Sequence, residues 1–208
     1  DPLWSRGLGD VYKRQGHTWR IAQAIEEGAR AMGAETRLRK VRELAGPETI
    51  DAKPAWKEHL EATREVPEAT PDDLAWADGF VFGTPTRFGL PAAQLKQFID
   101  TLGPLWAAGG LQDKVAGAFT GAGNLHGGQE STLLALHNVF YHWGSVIVPV
   151  GYTDKRISAA GGNPYGSSFS DGRGQGLPAE KLDAARFQGE RLARFAGVLA
   201  AARAQAAG

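Results

Sequence analysis

The chain repeats one pattern three times: a short apolar run, a loop rich in glycine or polar residues, and a helical stripe of apolar residues. The apolar runs are residues 80–82, 115–119 and 145–150. The helical stripes begin near Pro91, at Gln129 and near Pro178. Alternation of this kind predicts a parallel sheet with helices on both faces, because right-handed helical crossovers join parallel strands. With 208 residues, the chain is long enough for one α/β domain with insertions.

The first of these units carries the most distinctive loop, Thr86-Arg87-Phe88-Gly89. Residues 83–85, Gly-Thr-Pro, predict the end of the strand before it, and Pro91 suits the first helical turn because it has no N–H to leave unpaired. Ligands of open α/β sheets bind in loops at the carboxyl ends of strands. Hydroxyl, guanidinium and aromatic groups side by side suit a flat ligand with polar edges. The alternative is that the ring belongs to the core and the guanidinium is solvated.

The part of the chain before this unit predicts a helix and a weak strand. Apolar spacing gives a helix from Thr18, its expected N-cap, to about Ala31. Alternation predicts a strand over residues 36–41. Residues 42–73 and 151–177 are polar or rich in proline and glycine, which predicts long excursions from the strand-helix order. A doubly wound sheet of order 2-1-3-4-5 needs a strand before the first helix, and none is predicted there.

Residues 1–15, DPLWSRGLGDVYKRQ, show neither the alternation of a strand nor the apolar centre of a secretory signal. They resemble the translated adapter tails found at the ends of environmental sequence fragments. We therefore expect residues 1–15 to be a non-native tail and residues 16–208 to be the domain. The first strand of the sheet is then missing or replaced.

The composition argues against several classes of partner. Lys plus Arg and Asp plus Glu both number 23, so no excess charge attracts nucleic acid or an anionic membrane. The absence of cysteine excludes disulfides and thiolate chemistry and fits a reducing compartment, so we expect a cytoplasmic protein. No apolar run approaches the roughly 18 to 20 residues of a membrane helix. The histidines lack the spacing of metal ligands, so we expect no metal site.

Seven short motifs occur in the order typical of one family. They are Gly16-His17-Thr18, GTPTRFG at 83–89, Leu105-Trp106, the run Gly127-Gly128-Gln129-Glu130, His142 with Gly144, IVPVGY at 147–152 and NPYG at 163–166. Over about residues 16–200 they resemble the flavodoxin-like NAD(P)H:quinone oxidoreductases of the tryptophan-repressor-binding-protein (WrbA) type. The resemblance implies a doubly wound flavodoxin-like sheet and an oligomeric enzyme, a dimer or tetramer. Such an enzyme holds FMN, takes hydride from NADH or NADPH and passes two electrons to a quinone.

The resemblance also implies a role for each matched residue. Gly16, His17 and Thr18 would close the loop that binds the FMN phosphate. His142 would face the flavin from a neighbouring subunit or loop and give a proton to the quinone, and Trp106 would wall the quinone pocket. The flavin ring would be lined by Thr86, Arg87, Phe88 and Gly89 on one side, and on the other by Thr120, Gly121, Ala122, Gly123, Asn124 and Gly127.

Elementary chemistry agrees with these roles but leaves alternatives open. The first N–H groups of a helix attract a phosphate, although Thr18 there is also an ordinary cap. Arg87 would stabilise negative charge on a reduced flavin, or could pair with a carboxylate. His142 could act only on its own helix end, and Trp106 could be core or interface. His126 is a second, weaker candidate, whereas His59 and His137 are expected at the surface.

Two departures from the family pattern bear on function. Lys13 stands where the family has a serine in the phosphate loop, and the loop TGAGNLHGG at 120–128 is one residue longer than the family's and has fewer hydroxyls. Three hypotheses follow. The first is the FMN-dependent quinone reductase. The second is an FMN-binding electron carrier without quinone turnover, and the third is an inactive fragment of the enzyme.

Overall fold

The computed structural model of the chain describes residues 15–170 and 176–206. Most of the expected tail therefore lies outside the described residues. The helices are α1 (Gln15–Ala31), α2 (Pro47–Asp51), α3 (Pro54–Ala62), α4 (Pro71–Trp76), α5 (Ala93–Thr101), α6 (Gly103–Ala107), α7 (Gln129–His142), α8 (Lys155–Ala159) and α9 (Ala179–Ala206). The strands are β1 (Gly79–Arg87), β2 (Leu90–Pro91), β3 (Val115–Ala122), β4 (Val146–Ile147) and β5 (Ser168–Ser170).

A parallel sheet forms the centre of the molecule. Strand β1 pairs with β3 along residues 79–85 and 115–121. The other edge of β3 pairs in parallel with β4 near its beginning and with β5 near its end. These neighbours reproduce the 3-4-5 part of the expected 2-1-3-4-5 order. Strand β2 adds a short antiparallel hairpin to the end of β1.

Apolar side chains of β1 alternate between two cores, so the sheet is covered on both faces. Phe80 and Phe82 belong to the cluster formed with α5 and α7, which also contains Phe98 and Phe140. Val81 packs instead against the clusters of α1 and α9. The expected α/β architecture with helices on both faces is confirmed.

Helices α1 and α9 are joined by glycines that allow their backbones to touch. A Cβ added to Gly28 would lie 1.9 Å from the carbonyl oxygen of Arg186, and one added to Gly189 would lie 1.9 Å from that of Ile25. Larger residues cannot occupy either place without moving a helix. The two helices therefore form one close-packed layer over the sheet.

Several predicted boundaries are wrong. Strand β1 does not end at residues 83–85 but runs on to Arg87, because its pairing with β3 continues through Pro85. Pro91 lies in β2, and α5 begins at Ala93. The strand predicted over residues 145–150 keeps only two residues as β4.

The N-terminal elements also differ from the prediction. Helix α1 is already helical at Gln15, so Thr18 lies inside the helix and is not its N-cap. The strand expected over residues 36–41 does not form, and the stretch makes only the isolated bridge between Lys40 and Glu68. A strand needs a ladder partner, and the described residues provide none beside it.

No helix in the described ranges is long and apolar enough to cross a membrane.

Candidate active site

Three segments meet at the carboxyl edge of the sheet. Pro85 of β1 stands opposite Gly121 of β3, so the chain leaves both strands at the same level. The β1–β2 hairpin and the loop at residues 123–128 start from these two ends. The ring of Phe169 in β5 lies against Gly121 and also meets His17 edge-on, with ring centroids 5.7 Å apart. The start of α1 is thereby brought to the same edge.

The hairpin displays an aromatic side chain at its tip. Its two loop residues, Phe88 and Gly89, have φ of 54° and 79°. Positive φ at both positions is typical of the tightest β-hairpins. A non-glycine residue in this conformation costs about 1–2 kcal/mol. The ring of Phe88 is fully exposed, so the interpretation that Phe88 belongs to the core is wrong.

Hydroxyl groups tie the hairpin to α7. Thr132 donates a hydrogen bond of 2.7 Å to the hydroxyl oxygen of Thr86, and both side chains are buried. The Thr86 hydroxyl also lies 3.4 Å from the carbonyl oxygens of Gly127 and Gly128. A hydroxyl with several neighbours of this kind has a fixed direction. Thr86 therefore positions the hairpin and is not free to turn towards a ligand.

The end of β3 is packed tightly beneath the loop. The hydroxyl of Thr120, fully buried, donates to the carbonyl oxygen of Thr84 at 2.7 Å. A Cβ on Gly121 would lie 2.1 Å from the Phe169 ring, and Ala122 is also buried. Two of the predicted ring-lining residues, Thr120 and Ala122, thus have side chains inside the fold. A third, Gly121, has no room for a side chain. Gly123 is also buried, so the exposed groups of the loop begin at Asn124.

The first turn of α7 carries polar groups without a capping side chain. Its N-cap is Gly128, with φ of 89° and no side-chain hydrogen bond to the helix. Uncapped N–H groups at a helix start attract an electron-rich ligand group. Gln129 donates from Nε2 to the carbonyl oxygen of Asn124 at 2.9 Å. Its Oε1 is buried and has no hydrogen-bond partner among the described residues. Gln129 was not predicted as a site residue, although it belongs to the motif at 127–130.

Gly16, His17 and Thr18 lie in the first described turn of α1. This turn contains no acidic residue, and a Cβ on Gly16 would meet nothing within 4 Å. The N–H groups and the positive dipole end at the start of a helix attract an anion. Arg87, half-buried on the neighbouring strand end, donates from Nη1 to the carbonyl oxygen of Thr86 at 3.2 Å.

The structure places Trp106 and His142 away from this cluster. Trp106 donates from Nε1 to the backbone oxygen of His142 at 2.9 Å, and both side chains are exposed. His142 ends the 14-residue helix α7, whose start touches the hairpin. A helix of that length measures about 20 Å. Within one chain, then, these two predicted residues share a second surface at the amino edge of the sheet.

The remaining histidines divide by burial. His126 is exposed in the loop before α7. His137, expected at the surface, is buried, and this burial lowers the pKa of its imidazole. It lies on α7 beside Phe140, with ring centroids 6.1 Å apart, so the prediction for His137 is wrong. His59 is half-buried, and burial followed by the charge of Lys40 lowers its pKa. Within residues 15–170 and 176–206, no group of three His, Asp or Glu side chains could hold a metal ion.

The groups at the carboxyl edge of the sheet suit both ends of FMN, the flavin ring and the phosphate. The exposed Phe88 ring and the close backbones of Gly89 and Gly128 suit a flat ring system. The uncapped start of α7 and the unpartnered oxygen of Gln129 suit its polar edge. The start of α1 suits a phosphate. These features cover a ring, a polar edge and an anion in one place.

Comparisons with known proteins identify the family of the chain. The family model described as NADPH-dependent FMN reductase matches residues 12–154. An NAD(P)H dehydrogenase (quinone) from Deinococcus radiodurans is 51% identical over 159 residues, 76% of this chain and 80% of the relative. One from Geobacter sulfurreducens is 45% identical over 195 residues, 90% of this chain and 96% of the relative.

A solved structure extends the agreement to the fold. The flavodoxin, WrbA-like protein from Agrobacterium tumefaciens superimposes with a TM-score of 0.58 at 26% identity, covering 88% of this chain and 92% of that one. Sequence and fold thus agree over most of the chain. The protein belongs to the NADPH-dependent FMN reductase family, with the NAD(P)H dehydrogenases (quinone) among its relatives.

Proposed function

We propose that the protein is an FMN-dependent NAD(P)H:quinone oxidoreductase. The observation that carries this proposal is the meeting of the β1–β2 hairpin, the start of α7 and the start of α1 at one edge of the sheet. Relatives that are 40% to 51% identical carry the name NAD(P)H dehydrogenase (quinone). When bound, FMN supplies a ring that accepts hydride from NADH or NADPH and passes two electrons to a quinone.

The chain's own residues bind and orient. Gly16, His17 and Thr18 hold the phosphate with the N–H groups and dipole of α1. Arg87, Phe88 and Gly89 line one side of the ring. Backbone groups of Gly123, Asn124 and Gly127 line the other edge, and Gln129 accepts a hydrogen bond at its buried oxygen. Thr86 and Thr120 act indirectly: Thr86 fixes β1 to α7, and Thr120 fixes β1 to β3.

We propose that a second copy of the chain completes the pocket. His142 and Trp106 lie at the amino edge, about a helix length from the carboxyl edge of their own chain. They reach a ring-binding site only when another subunit presents them, which requires a homo-oligomer, a dimer or tetramer. In this arrangement His142 donates a hydrogen bond to the quinone oxygen and passes it a proton, which the imidazole takes back from solvent, and Trp106 walls the quinone. We place the protein in the cytoplasm, which the lack of cysteine supports.

A simple assay separates the three functional hypotheses. Purified protein is incubated with FMN, passed over a desalting column and mixed with NADH, with and without benzoquinone. The proposal predicts a yellow protein that oxidises NADH rapidly only with quinone. A yellow protein without quinone turnover would indicate an electron carrier, and a colourless one would indicate a chain that does not hold flavin. Either of the last two results contradicts the proposal.

A further inference from the structure

Helix α7 is apolar on its outer side as well as on its inner side. The inner side, with Leu133 and Phe140, belongs to the core beside the sheet. On the outer side, Leu134 and Tyr141 are 46% and 72% exposed. Apart from Glu130, the helix contains no Lys, Arg, Asp or Glu. A helix that is apolar all round is normally covered on all sides.

Helix α1 shows how a solvent-facing helix of this chain differs. It also lies over the sheet, but its exposed residues include Arg20, Glu27 and Arg30. Such charged side chains keep the outer face of a helix in water. Residues 131–142 of α7 have none. Depletion of charged residues together with exposed aromatic and aliphatic side chains is typical of the centre of a protein interface.

The outer residues of α7 form one continuous stripe. Ser131, Leu134, Asn138 and Tyr141 are all exposed and follow one another at intervals of three or four residues, which places them on one side of the helix. We call these four residues the α7 stripe. It begins beside the hairpin, since a Cβ on Gly89 would lie 2.8 Å from the Ser131 hydroxyl. It ends in the last turn of α7, so a single face connects the carboxyl and amino edges of the sheet.

The α7 stripe is complementary to a reversed copy of itself. When two copies run antiparallel and are aligned at the middle of the helix, Ser131 faces Tyr141 of the partner subunit, and Leu134 faces Asn138 of the partner subunit. A small side chain thus lies opposite a large one, and a two-fold axis repeats each contact. The amide of Asn138 restricts the register, because it must find a hydrogen-bond partner. In this arrangement the start of each α7 lies beside the end of the other.

We propose that α7 pairs antiparallel with α7 of a second copy through the α7 stripe, and that this pairing carries His142 of each chain to the hairpin of its partner. The choice of a second copy rests on the proposed function, in which His142 acts on the ring held by another subunit. An unrelated protein on this face would leave His142 and Trp106 away from every ring-binding site. The pairing assigns one interface to both tasks, covering the apolar face and completing the pocket.

The direction and register of the pairing are tested by cross-linking. The chain has no cysteine, so the double variant Ser131→Cys/Tyr141→Cys contains two thiols, both in the α7 stripe. Within one chain, ten residues of helix separate them by about 15 Å. Between packed helices the distance is about 8–10 Å, which a short bismaleimide spans. We expect a covalent dimer of the double variant on a denaturing gel.

The single variants are the matched controls. Antiparallel pairing separates the two copies of the same stripe-end residue by about 15 Å along the helix, so Ser131→Cys alone and Tyr141→Cys alone should give at least tenfold less dimer. Val198→Cys, on the exposed side of α9, measures random collision and should give no more dimer than they do. Equal linking of a single variant, or no linking of the double variant, overturns the pairing. The readout involves no flavin, so a protein that cross-links as expected but holds no FMN supports the pairing and contradicts the proposed function.

A charge in the stripe gives a second test. Leu134→Glu places a carboxylate at the centre of the proposed contact, on a side chain that is exposed within one chain. The variant should keep its circular dichroism spectrum, and its mass by light scattering should fall by half. Val198→Glu, at an exposed position of α9, should keep both the spectrum and the mass. A monomeric unchanged protein, or an unaltered mass of Leu134→Glu, overturns the proposal.

Discussion

The main chains of Gly89 and Gly128 are in contact, since a Cβ added to Gly128 would lie 2.7 Å from the Cα of Gly89. Both residues have positive φ, 79° and 89°. One forms the hairpin tip after β1 and the other begins α7. Any side chain between them pushes apart the two segments that we assign to the flavin ring.

Gly128→Ala should therefore weaken FMN binding. The added methyl group strains the backbone by about 1–2 kcal/mol and also displaces the hairpin. We expect at least a tenfold rise in the dissociation constant for FMN, measured by quenching of flavin fluorescence, and a lower free energy of unfolding in urea.

Gly33→Ala is the matched control for that change. Gly33 has a similar φ of 81°, but a Cβ there would meet nothing within 4 Å. The control should have a lower free energy of unfolding because of the backbone strain alone, and it should keep its FMN affinity. Equal losses of FMN affinity in the two variants would show that the Gly89–Gly128 contact has no part in the site.

The hydroxyl pair behind the hairpin gives a second prediction. Thr132→Val keeps the shape of the side chain and removes the donor of the 2.7 Å hydrogen bond to Thr86. We expect a loss of about 1 kcal/mol in the free energy of unfolding, together with weaker FMN binding, because the hairpin loses its tie to α7. Thr101→Val, which removes a hydrogen bond to the Phe98 carbonyl within α5, should leave FMN binding unchanged. An unchanged FMN affinity in Thr132→Val would contradict the positioning role of Thr86.

The strand-helix units were predictable because their periodicity is strong. Strand β3 and helix α7 begin where their patterns predict, at Val115 and Gln129. The end of β1 was misplaced because Gly83-Thr84-Pro85 is locally a turn signal. Pairing with β3 overrides that signal, and the hydroxyl of Thr120 secures Thr84.

The site was predictable only as a set of loops. The order of the motifs assigned residues 86–89 and 120–128 to one site, and the structure places both segments at the carboxyl edge of the sheet. The motifs also assigned His142 to this site, but the length of α7 separates His142 from that edge. Burial of Thr120 and the unpartnered oxygen of Gln129 depend on packing between distant segments. No local pattern in the sequence records them.

Stability should fall in mild acid because His137 is buried. Its pKa in the folded protein is lowered from the ordinary value near 6.5, so the unfolded chain binds a proton at higher pH than the folded one. Stability is therefore full above pH 6.5 and decreases as the pH falls below it, by at most about 1.4 kcal/mol per pH unit from this residue.

Urea unfolding at pH 7.5 and pH 5.5 measures this dependence, and His137→Gln should reduce it. His59, whose pKa is also lowered, contributes in the same direction, so a smaller slope should remain in the variant. An identical pH dependence in His137→Gln and the unchanged protein would contradict this account of the buried imidazole.

The proposed sharing of the site between subunits predicts complementation. Arg87→Ala damages the ring-binding edge, and His142→Ala removes the group supplied from the second copy. Each variant alone should lose quinone reduction. Refolding the two together should recover activity, because mixed oligomers contain sites with both residues intact. Failure to recover activity in mixtures shown to contain mixed oligomers would contradict the sharing of His142 between chains.

Hydrogen exchange measured by mass spectrometry, with and without FMN, tests the central claim most directly. The claim is that one carboxyl edge of the sheet, built from the start of α1, the hairpin and the loop before α7, holds the flavin. We predict slower exchange on FMN addition in peptides covering residues 16–18, 86–89 and 121–128, and no change in those covering α2 and α3. Tight FMN binding that leaves exchange at 86–89 and 121–128 unchanged would contradict the account.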